Sequence, residues 1–167
     1  MMKTKYIFYI ICIFLAAILF FGCAGSANIK SNQALDSATV KNMIDSQSFV
    51  FIPQSVTPMG GRTRDLSAGF DIAISKDSVI SYLPYFGRGY VAPLSPTDVD
   101  FDFTSTKFTY KLVAVSKGWS ISIKPKDQRN LQELYFRIFD NASATLNVIS
   151  LDRSFVSYKG YITKKRN

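Results

Sequence analysis

Apolar and polar residues alternate along most of the chain beyond residue 48. Trp119, Ile121 and Ile123, for example, are separated by serines, which places the three apolar side chains on one face of an extended segment. This period of two is typical of β-strands that have one face on a core and the other in water. Comparable runs, bounded by polar turns, predict strands over residues 49–52, 70–75, 79–83, 98–103, 108–115, 119–124, 131–139, 144–151 and 154–163.

Short strands joined by polar turns, with no helix between them, predict a mainly β fold. An antiparallel meander of this kind closes into a β-sandwich or a barrel. Residues 116–118 end in Gly118 and favour a tight hairpin between two of the strands. Pro53 is expected to end the first strand, because proline has no N–H group to donate to a neighbouring strand.

One short helix is predicted before the strands. Its apolar residues recur at helical spacing: Leu35, Val40, Met43 and Ile44. Asp36 precedes the first turn and is a suitable N-cap. This helix would open a single β-rich domain over residues 35–163, followed by a basic tail at 164–167.

The N-terminal segment has the composition of a bacterial secretion signal. Lys3 and Lys5 precede an uncharged apolar run over residues 6–21. At 16 residues this run is shorter than the roughly 20 needed to cross a bilayer. It leads to Cys23, which small polar residues follow, a pattern that resembles a lipobox. Residues 1–22 are therefore predicted to be a signal peptide, and Cys23 the attachment point of a palmitate-type acyl chain.

Residues 23–34 are then the lipidated cysteine and a flexible tether, because they are small and polar. The alternative is an uncleaved anchor helix, since Phe21 stands where a lipobox has a smaller residue. Both interpretations place the domain in the cell envelope, attached to a membrane. No acidic cluster follows Cys23, and this favours an outer-membrane position that faces the periplasm.

The cysteine count and the charge agree with an exported protein. Cys12 lies inside the predicted signal peptide and Cys23 is the anchor, so no thiol is left for a disulfide in the domain. The chain carries a net charge of +8, and half of the excess that remains after removal of the signal lies at residues 164–166. In an exported protein such a cluster meets anionic head groups or is a solvated tail, so no nucleic-acid partner is predicted.

Several segments together resemble a known family. They are Phe49-Val50-Phe51, the eleven residues from Ile80 to Tyr90, Lys117-Gly118-Trp119, Asp152-Arg153-Ser154 and Ser157-Tyr158-Lys159-Gly160. The family is the Bacteroidota lipoprotein family known as domain of unknown function 4251, and the resemblance covers nearly all of residues 40–163. It implies an envelope location and a β-rich fold. The family has no assigned activity, so the resemblance implies no catalytic or binding residues.

The most conspicuous candidate site is the segment 84–90. Pro84 removes a hydrogen-bond donor, and Gly87 and Gly89 permit backbone conformations closed to other residues, so a turn is expected here. Five side chains near it could act together: Tyr82, Tyr85, Phe86, Arg88 and Tyr90. They form either a binding surface for a glycan, a peptidoglycan fragment or an envelope protein, or a plug of rings at one end of the core with Arg88 bonded to loop carbonyls.

A second cluster contains Asp98, Asp100 and Asp102, whose spacing resembles the start of a calcium loop. The pattern fails at Phe103, where a calcium loop has glycine, and at Thr109, where it has glutamate. The simpler interpretation is an edge strand with its carboxylates in water. These three residues are weak candidates for a divalent-ion site, and no metal or cofactor is predicted.

The composition disfavours an enzyme. The chain has no histidine and only one glutamate, Glu133, which removes the usual general bases and zinc ligands. Motifs of serine acyl enzymes and phosphate loops are also absent from the sequence. The prediction is a non-enzymatic envelope lipoprotein that binds a partner or supports an envelope assembly. The alternatives are an envelope hydrolase that uses aspartates and a barrel that carries a small apolar ligand.

Overall fold

The described part of the chain, residues 35–90 and 101–165 of a computed structural model, begins with the predicted helix α1 (Ser37–Asp45). The Asp36 side chain accepts a hydrogen bond of 2.8 Å from the backbone N–H of Thr39. This bond satisfies one of the free donors of the first turn. The predictions of a short helix and of its N-cap are confirmed. Among the described residues, no helix is long and apolar enough to cross a bilayer.

Ten strands follow the helix, in a mainly β fold as predicted. They are β1 (Phe49–Pro58), β2 (Arg64–Asp65), β3 (Asp71–Ile74), β4 (Val79–Leu83), β5 (Phe101–Ser105), β6 (Phe108–Val115), β7 (Gly118–Pro125), β8 (Leu131–Phe139), β9 (Ser143–Ser150) and β10 (Val156–Thr163). Most bounds lie within two residues of the predicted ones, because the alternation of apolar and polar positions marks each strand directly.

All the strands join one antiparallel sheet in the order β5-β4-β3-β1-β10-β9-β8-β7-β6, with β2 paired to β1. The two edge strands, β5 and β6, are neighbours in sequence, since only Thr106 and Lys107 separate them. The sheet must therefore curl until its two edges meet at this link. The result is a nearly closed barrel, one of the two predicted architectures.

The carboxylate of Asp127, in the connection after β7, holds this link in place. It accepts hydrogen bonds from the Ser105 hydroxyl and from the backbone N–H groups of Thr106, at 2.8 Å, and Lys107, at 3.1 Å. Beside it, the Gln128 side-chain amide donates to the Thr104 carbonyl at 2.9 Å. The β7–β8 connection thus supplies hydrogen-bond partners at the point where the sheet is not closed by a strand ladder.

Aromatic and branched side chains fill the interior. The ring of Phe136 packs edge-to-face against Phe49, with ring centroids 6.0 Å apart, and against Phe51, at 5.7 Å. These three residues have no accessible surface. A side chain without accessible surface borders no space that could admit a water molecule, so this part of the interior is occupied by protein.

The helix packs its apolar face, Val40, Met43 and Ile44, into the same core. Its last turn is tied to β6, because the Tyr110 hydroxyl donates to the Ile44 carbonyl at 3.2 Å. Burial, and secondarily the nearby Asp45 carboxylate, raise the pKa of Tyr110, so this phenol remains a donor at physiological pH.

The prediction that Pro53 ends the first strand is wrong. β1 continues through it to Pro58, and its register with β10 shifts between Pro53 and Ser55. Such a bulge tolerates a residue that cannot donate to the ladder. Opposite the bulge, a Cβ atom at Gly160 would lie only 2.0 Å from the Ile52 carbonyl oxygen, so the two strands approach too closely for any side chain there.

We expect Asp127→Asn to lower the free energy of unfolding at pH 7. The Ser105 hydroxyl first, and then the backbone N–H groups of Thr106 and Lys107, hold the pKa of Asp127 below its ordinary value. The stabilisation is therefore present above the unfolded-state pKa of about 3.9 and is lost as the pH falls through the lower folded-state value.

Urea unfolding of the full chain at pH 7 and at pH 3 measures this effect. The difference between wild type and Asp127→Asn should be present at pH 7 and smaller at pH 3, while Asp140→Asn, an exposed turn residue, should change neither. Equal stability of wild type and Asp127→Asn at pH 7 contradicts the closing role of the carboxylate.

Candidate functional site

The segment after β4 and the connection between β9 and β10 pack against each other. The N–H of Ser154 donates to the Arg88 carbonyl at 2.9 Å, and the N–H of Tyr90 donates to the Asp152 carbonyl at 2.7 Å. Gly89 and Arg153 form an isolated antiparallel bridge between these bonds. Residues 84–90 and 151–155 are far apart in sequence. Through these bonds they form a short two-stranded ribbon at the end of the barrel where β4 and β9 end.

Tyr85 is the side chain at the centre of this ribbon. Its hydroxyl donates to the Arg88 carbonyl at 2.8 Å and lies 2.8 Å from the Ser154 hydroxyl oxygen. The Ser154 hydroxyl in turn accepts from the N–H of Arg88 at 3.1 Å. A Cβ atom at Gly87 would lie 2.2 Å from the Tyr85 phenol oxygen, so the turn closes over the hydroxyl only because residue 87 has no side chain.

Two further contacts fix the ribbon to the core. The hydroxyl of Tyr158, a residue without accessible surface, donates to the Pro84 carbonyl at 2.7 Å. The Arg153 guanidinium carbon lies 5.3 Å from the ring centre of Tyr85 and 5.0 Å from that of Phe101. We call these contacts of Pro84, Tyr85, Arg153, Ser154 and Tyr158 the junction. It makes the backbone of the turn part of the rigid fold.

The five side chains of the predicted site do not all lie together. Tyr85 is half-buried, and its ring packs edge-on against Phe101 at 5.2 Å, as the core interpretation expected for all the rings. Phe86 and Tyr90 instead are 42% and 65% exposed, and Arg88 is exposed as well.

Tyr82 lies apart from the turn. It is on the outer face of β4, where its ring stacks on that of Phe70 with centroids 5.5 Å apart. The turn itself therefore presents Phe86, Arg88 and Tyr90 to solvent, and the fold keeps Tyr85 inside.

Exposed residues of two other connections extend this surface. The C-terminal ends of β1, β4 and β9 lie at the same end of the barrel, because these three strands run in the same direction. Arg64 on β2 places its guanidinium carbon 5.3 Å from the ring centre of Phe86. Met59 and Leu151 are 69% and 61% exposed, and the N–H of Met59 donates to the Phe155 carbonyl at 3.0 Å.

We call this surface the rim. Its exposed residues are Met59, Arg62, Arg64, Phe86, Arg88, Tyr90, Leu151 and Phe155. The sequence indicated only the part on residues 86–90, because the other residues join it through strand pairings that link distant segments. The Gly60-Gly61-Arg62 stretch was recognisable as a turn, but its neighbours in space were not.

The rim is positively charged. Three of the seven arginines of the chain, at positions 62, 64 and 88, are exposed on it. In residues 35–90 and 101–165 the ion pairs are Lys41 with Asp45 and Lys124 with Glu133, and neither lies on the rim. The nearby carboxylate of Asp152 accepts hydrogen bonds from Asn130 and Ser150 instead. The three rim arginines thus form no ion pair within the described residues, although the exposed Asp65 follows Arg64 on β2.

The candidate metal residues are placed only in part. Asp98 and Asp100 lie outside the described residues. Asp102 is exposed on the edge strand β5, opposite Tyr82 of β4, while its neighbour Phe101 is buried. Within the described ranges, no three carboxylate, histidine or cysteine side chains lie close enough together to hold a metal ion.

Comparison with known proteins identifies the family. The family model for a domain of unknown function, DUF4251, matches residues 31–162. The chain belongs to the DUF4251 family. The fold is also similar to the crystal structure of a DUF4251 family protein from Bacteroides eggerthii DSM 20697, with a TM-score of 0.59 and 11% sequence identity over 80% of this chain and 91% of that one. No curated protein matches the sequence.

The family assignment confirms the resemblance seen in the sequence, and the structure gives that resemblance a physical meaning. Two of the segments that carried this resemblance, around Leu83-Pro84-Tyr85 and Arg153-Ser154, meet in the junction. Gly160, in the last of these segments, lies opposite the bulge of β1. The segments that carried the resemblance therefore include packing residues, such as Tyr85 and Ser154, and exposed rim residues, such as Phe86 and Tyr90.

Proposed function

We propose that this protein is a lipoprotein of the cell envelope, anchored through Cys23, that binds an acidic partner protein through the rim and catalyses no reaction. One observation carries the binding part of this proposal. The rim combines exposed apolar and aromatic side chains with arginines that form no ion pair in the described part of the chain.

The composition of the rim is that of a protein interface. Tyrosine, phenylalanine, methionine and arginine are enriched at such interfaces, and lysine, aspartate and glutamate are depleted. The rim has Met59, Phe86, Tyr90 and three arginines, but no lysine. A guanidinium group pairs with a carboxylate through two parallel hydrogen bonds, so acidic side chains of the partner are its natural complement.

The contacts of the rings favour a protein over a glycan. A sugar needs an open aromatic face on which to stack. On the rim, Phe86 has the Arg64 guanidinium over one face of its ring, and outside the rim Tyr82 has one face stacked on Phe70. A protein partner can use the edges of these rings and the arginine donors together.

The junction supports affinity in a second way. Binding through a mobile loop loses free energy because the loop must be ordered. Here the N–H groups of Arg88 and Tyr90 are already bonded to Ser154 and Asp152. The rim residues on this turn are thus held in place before a partner arrives.

The two alternative functions have less support. A hydrolase needs converging carboxylates, whereas Asp102 faces solvent on an edge strand and Glu133 binds Lys124 and Ser122. A carrier needs an open interior, whereas Phe49, Phe51 and Phe136 border no water-sized space.

The anchor is tested by metabolic labelling with a palmitate analogue in a bacterium that expresses the full chain. We expect wild type and Cys12→Ser to carry the label, because residue 12 leaves with the signal peptide, and Cys23→Ser to carry none. Equal label on wild type and Cys23→Ser would contradict lipid attachment at Cys23.

The rim is tested with a photo-cross-linking amino acid at position 90 in intact cells, and with the same group at the exposed residue Lys159 of β10 as the control. We expect a discrete adduct at position 90 and none at position 159. Adding Arg62→Glu and Arg88→Glu should reduce the adduct about tenfold or more, since like charges across an interface repel.

The nature of the adduct decides between partners. An adduct that protease removes and a muramidase leaves intact agrees with a protein partner. Removal by muramidase would show peptidoglycan in its place. Equal adducts at both positions, or an adduct indifferent to the charge reversal, would contradict binding through the rim.

A further inference from the structure

A second candidate site lies beside helix α1. A cavity of about 320 Å³, open to solvent, separates the helix from the end of β10. Apart from Met43, its lining is polar and consists of Thr39, Asn42, Ser46, Ser48, Lys164 and Lys165. No carboxylate is among these residues.

The lining supplies hydrogen-bond donors of the kind that an anion needs. Lys164 and Lys165 bring two ammonium groups, and Asn42, Thr39 and Ser48 bring an amide and two hydroxyls. In the described part of the chain the side chains of Asn42 and Ser48 make no hydrogen bond, whereas the Thr39 hydroxyl bonds to the Asp36 carboxylate and the Ser46 hydroxyl donates to the Met43 carbonyl at 3.2 Å. The cavity therefore offers positive charge and uncommitted donors together.

Two carboxylates near these lysines already accept hydrogen bonds, Asp36 from the lining residue Thr39 and Asp77 from Ser75. The pKa of Asp36 is lowered mainly by its hydrogen bond with Thr39, and that of Asp77 mainly by its hydrogen bond with Ser75. The positive charge of Lys164 lowers the pKa of Asp36 by a smaller amount, and the positive charge of Lys165 does the same for the pKa of Asp77. Neither lysine is within 4.0 Å of a carboxylate oxygen in the described part of the chain, so their charge is not neutralised by an ion pair.

We propose that this cavity binds a phosphate group. Two lysine ammonium groups, with the Asn42 amide and the Ser48 hydroxyl in the lining of the same cavity, match the charge and the several acceptor oxygens of a phosphate. The group could belong to an anionic phospholipid or to a phosphate in solution, and the same lining would recognise both.

The position of the cavity connects it with the membrane. Helix α1 begins two residues after Leu35, and residues 24–34 are the predicted tether from Cys23. Eleven residues span at most roughly 40 Å when fully extended, so the helix stays within reach of the head groups. A lipid source thus rests on the proposed anchor, whereas the phosphate site itself does not.

The test uses the ¹⁵N-labelled full chain in nonionic detergent micelles. One arm adds inorganic phosphate, and the other adds phosphatidylglycerol to the micelles. The amide NMR signals of Ser48 and Lys164 report binding at the cavity. The variant is Lys164→Gln with Lys165→Gln. The control is Lys111→Gln with Lys117→Gln, which removes the same charge from exposed positions on β6 and its turn.

We expect saturable shifts at Ser48 and Lys164 in at least one arm, an apparent Kd that rises about tenfold or more in the cavity variant, and less than about twofold in the control. Binding in the phosphatidylglycerol arm alone identifies a lipid head group, and binding in the phosphate arm identifies a site that needs no membrane. No shift in either arm, or equal weakening in variant and control, overturns the proposal. Cys23→Ser should leave the phosphate arm unchanged, so failure of the anchor and failure of the cavity are distinguishable.

Discussion

The arrangement of the rim depends on one small ring of hydrogen bonds around the Tyr85 phenol. The N–H of Arg88 donates to the Ser154 hydroxyl, that hydroxyl can donate to the phenol, and the phenol donates to the Arg88 carbonyl. With this assignment each group gives its one proton within the ring, and the Ser154 carbonyl lies 3.2 Å from the phenol as a further acceptor, so the polar atoms are satisfied at the margin of the core. Because the turn cannot rotate without breaking this ring, Tyr85 stays inside while Phe86 and Tyr90 face outward. The exposure of Phe86 and Tyr90 is therefore a consequence of the packing of Tyr85 beneath them.

The sequence predicted most elements of the fold because they are encoded locally, whereas β2, a two-residue strand that exists through its pairing with β1, was not predicted. Asp36 and the apolar spacing after it define the helix, and the alternation in segments such as Trp119 to Ile123 defines the strands. The order of the strands was not accessible in this way. Pairing of β1 with β10 joins Val50 to Thr163, and no local pattern specifies a contact over that distance. The same pairing explains the error at Pro53, since a bulge depends on the partner strand.

The candidate site was predicted in part for a similar reason. The aromatic and glycine residues of the turn stand out in sequence, but alternation cannot tell which rings face inward in an irregular segment. The Tyr85 hydroxyl forms a hydrogen bond with Ser154, which lies on another connection. Phe86 has no hydroxyl that could make this contact. Arg64 and Met59 join the rim through strand pairing as well. The arginines of the rim and the lysines of the cavity near Lys164 lie at opposite ends of the β1–β10 ladder.

Amide hydrogen exchange of the full chain, in wild type and in Tyr85→Phe, tests most directly whether the junction holds the rim. In wild type the amides of Arg88, Tyr90 and Ser154 should exchange slowly, because all three are bonded within the ribbon. In the variant these three should become faster together, while the amide of Val148 in the core strand β9 keeps its rate. Fast exchange of the three amides in wild type, or no change in the variant, would contradict the account.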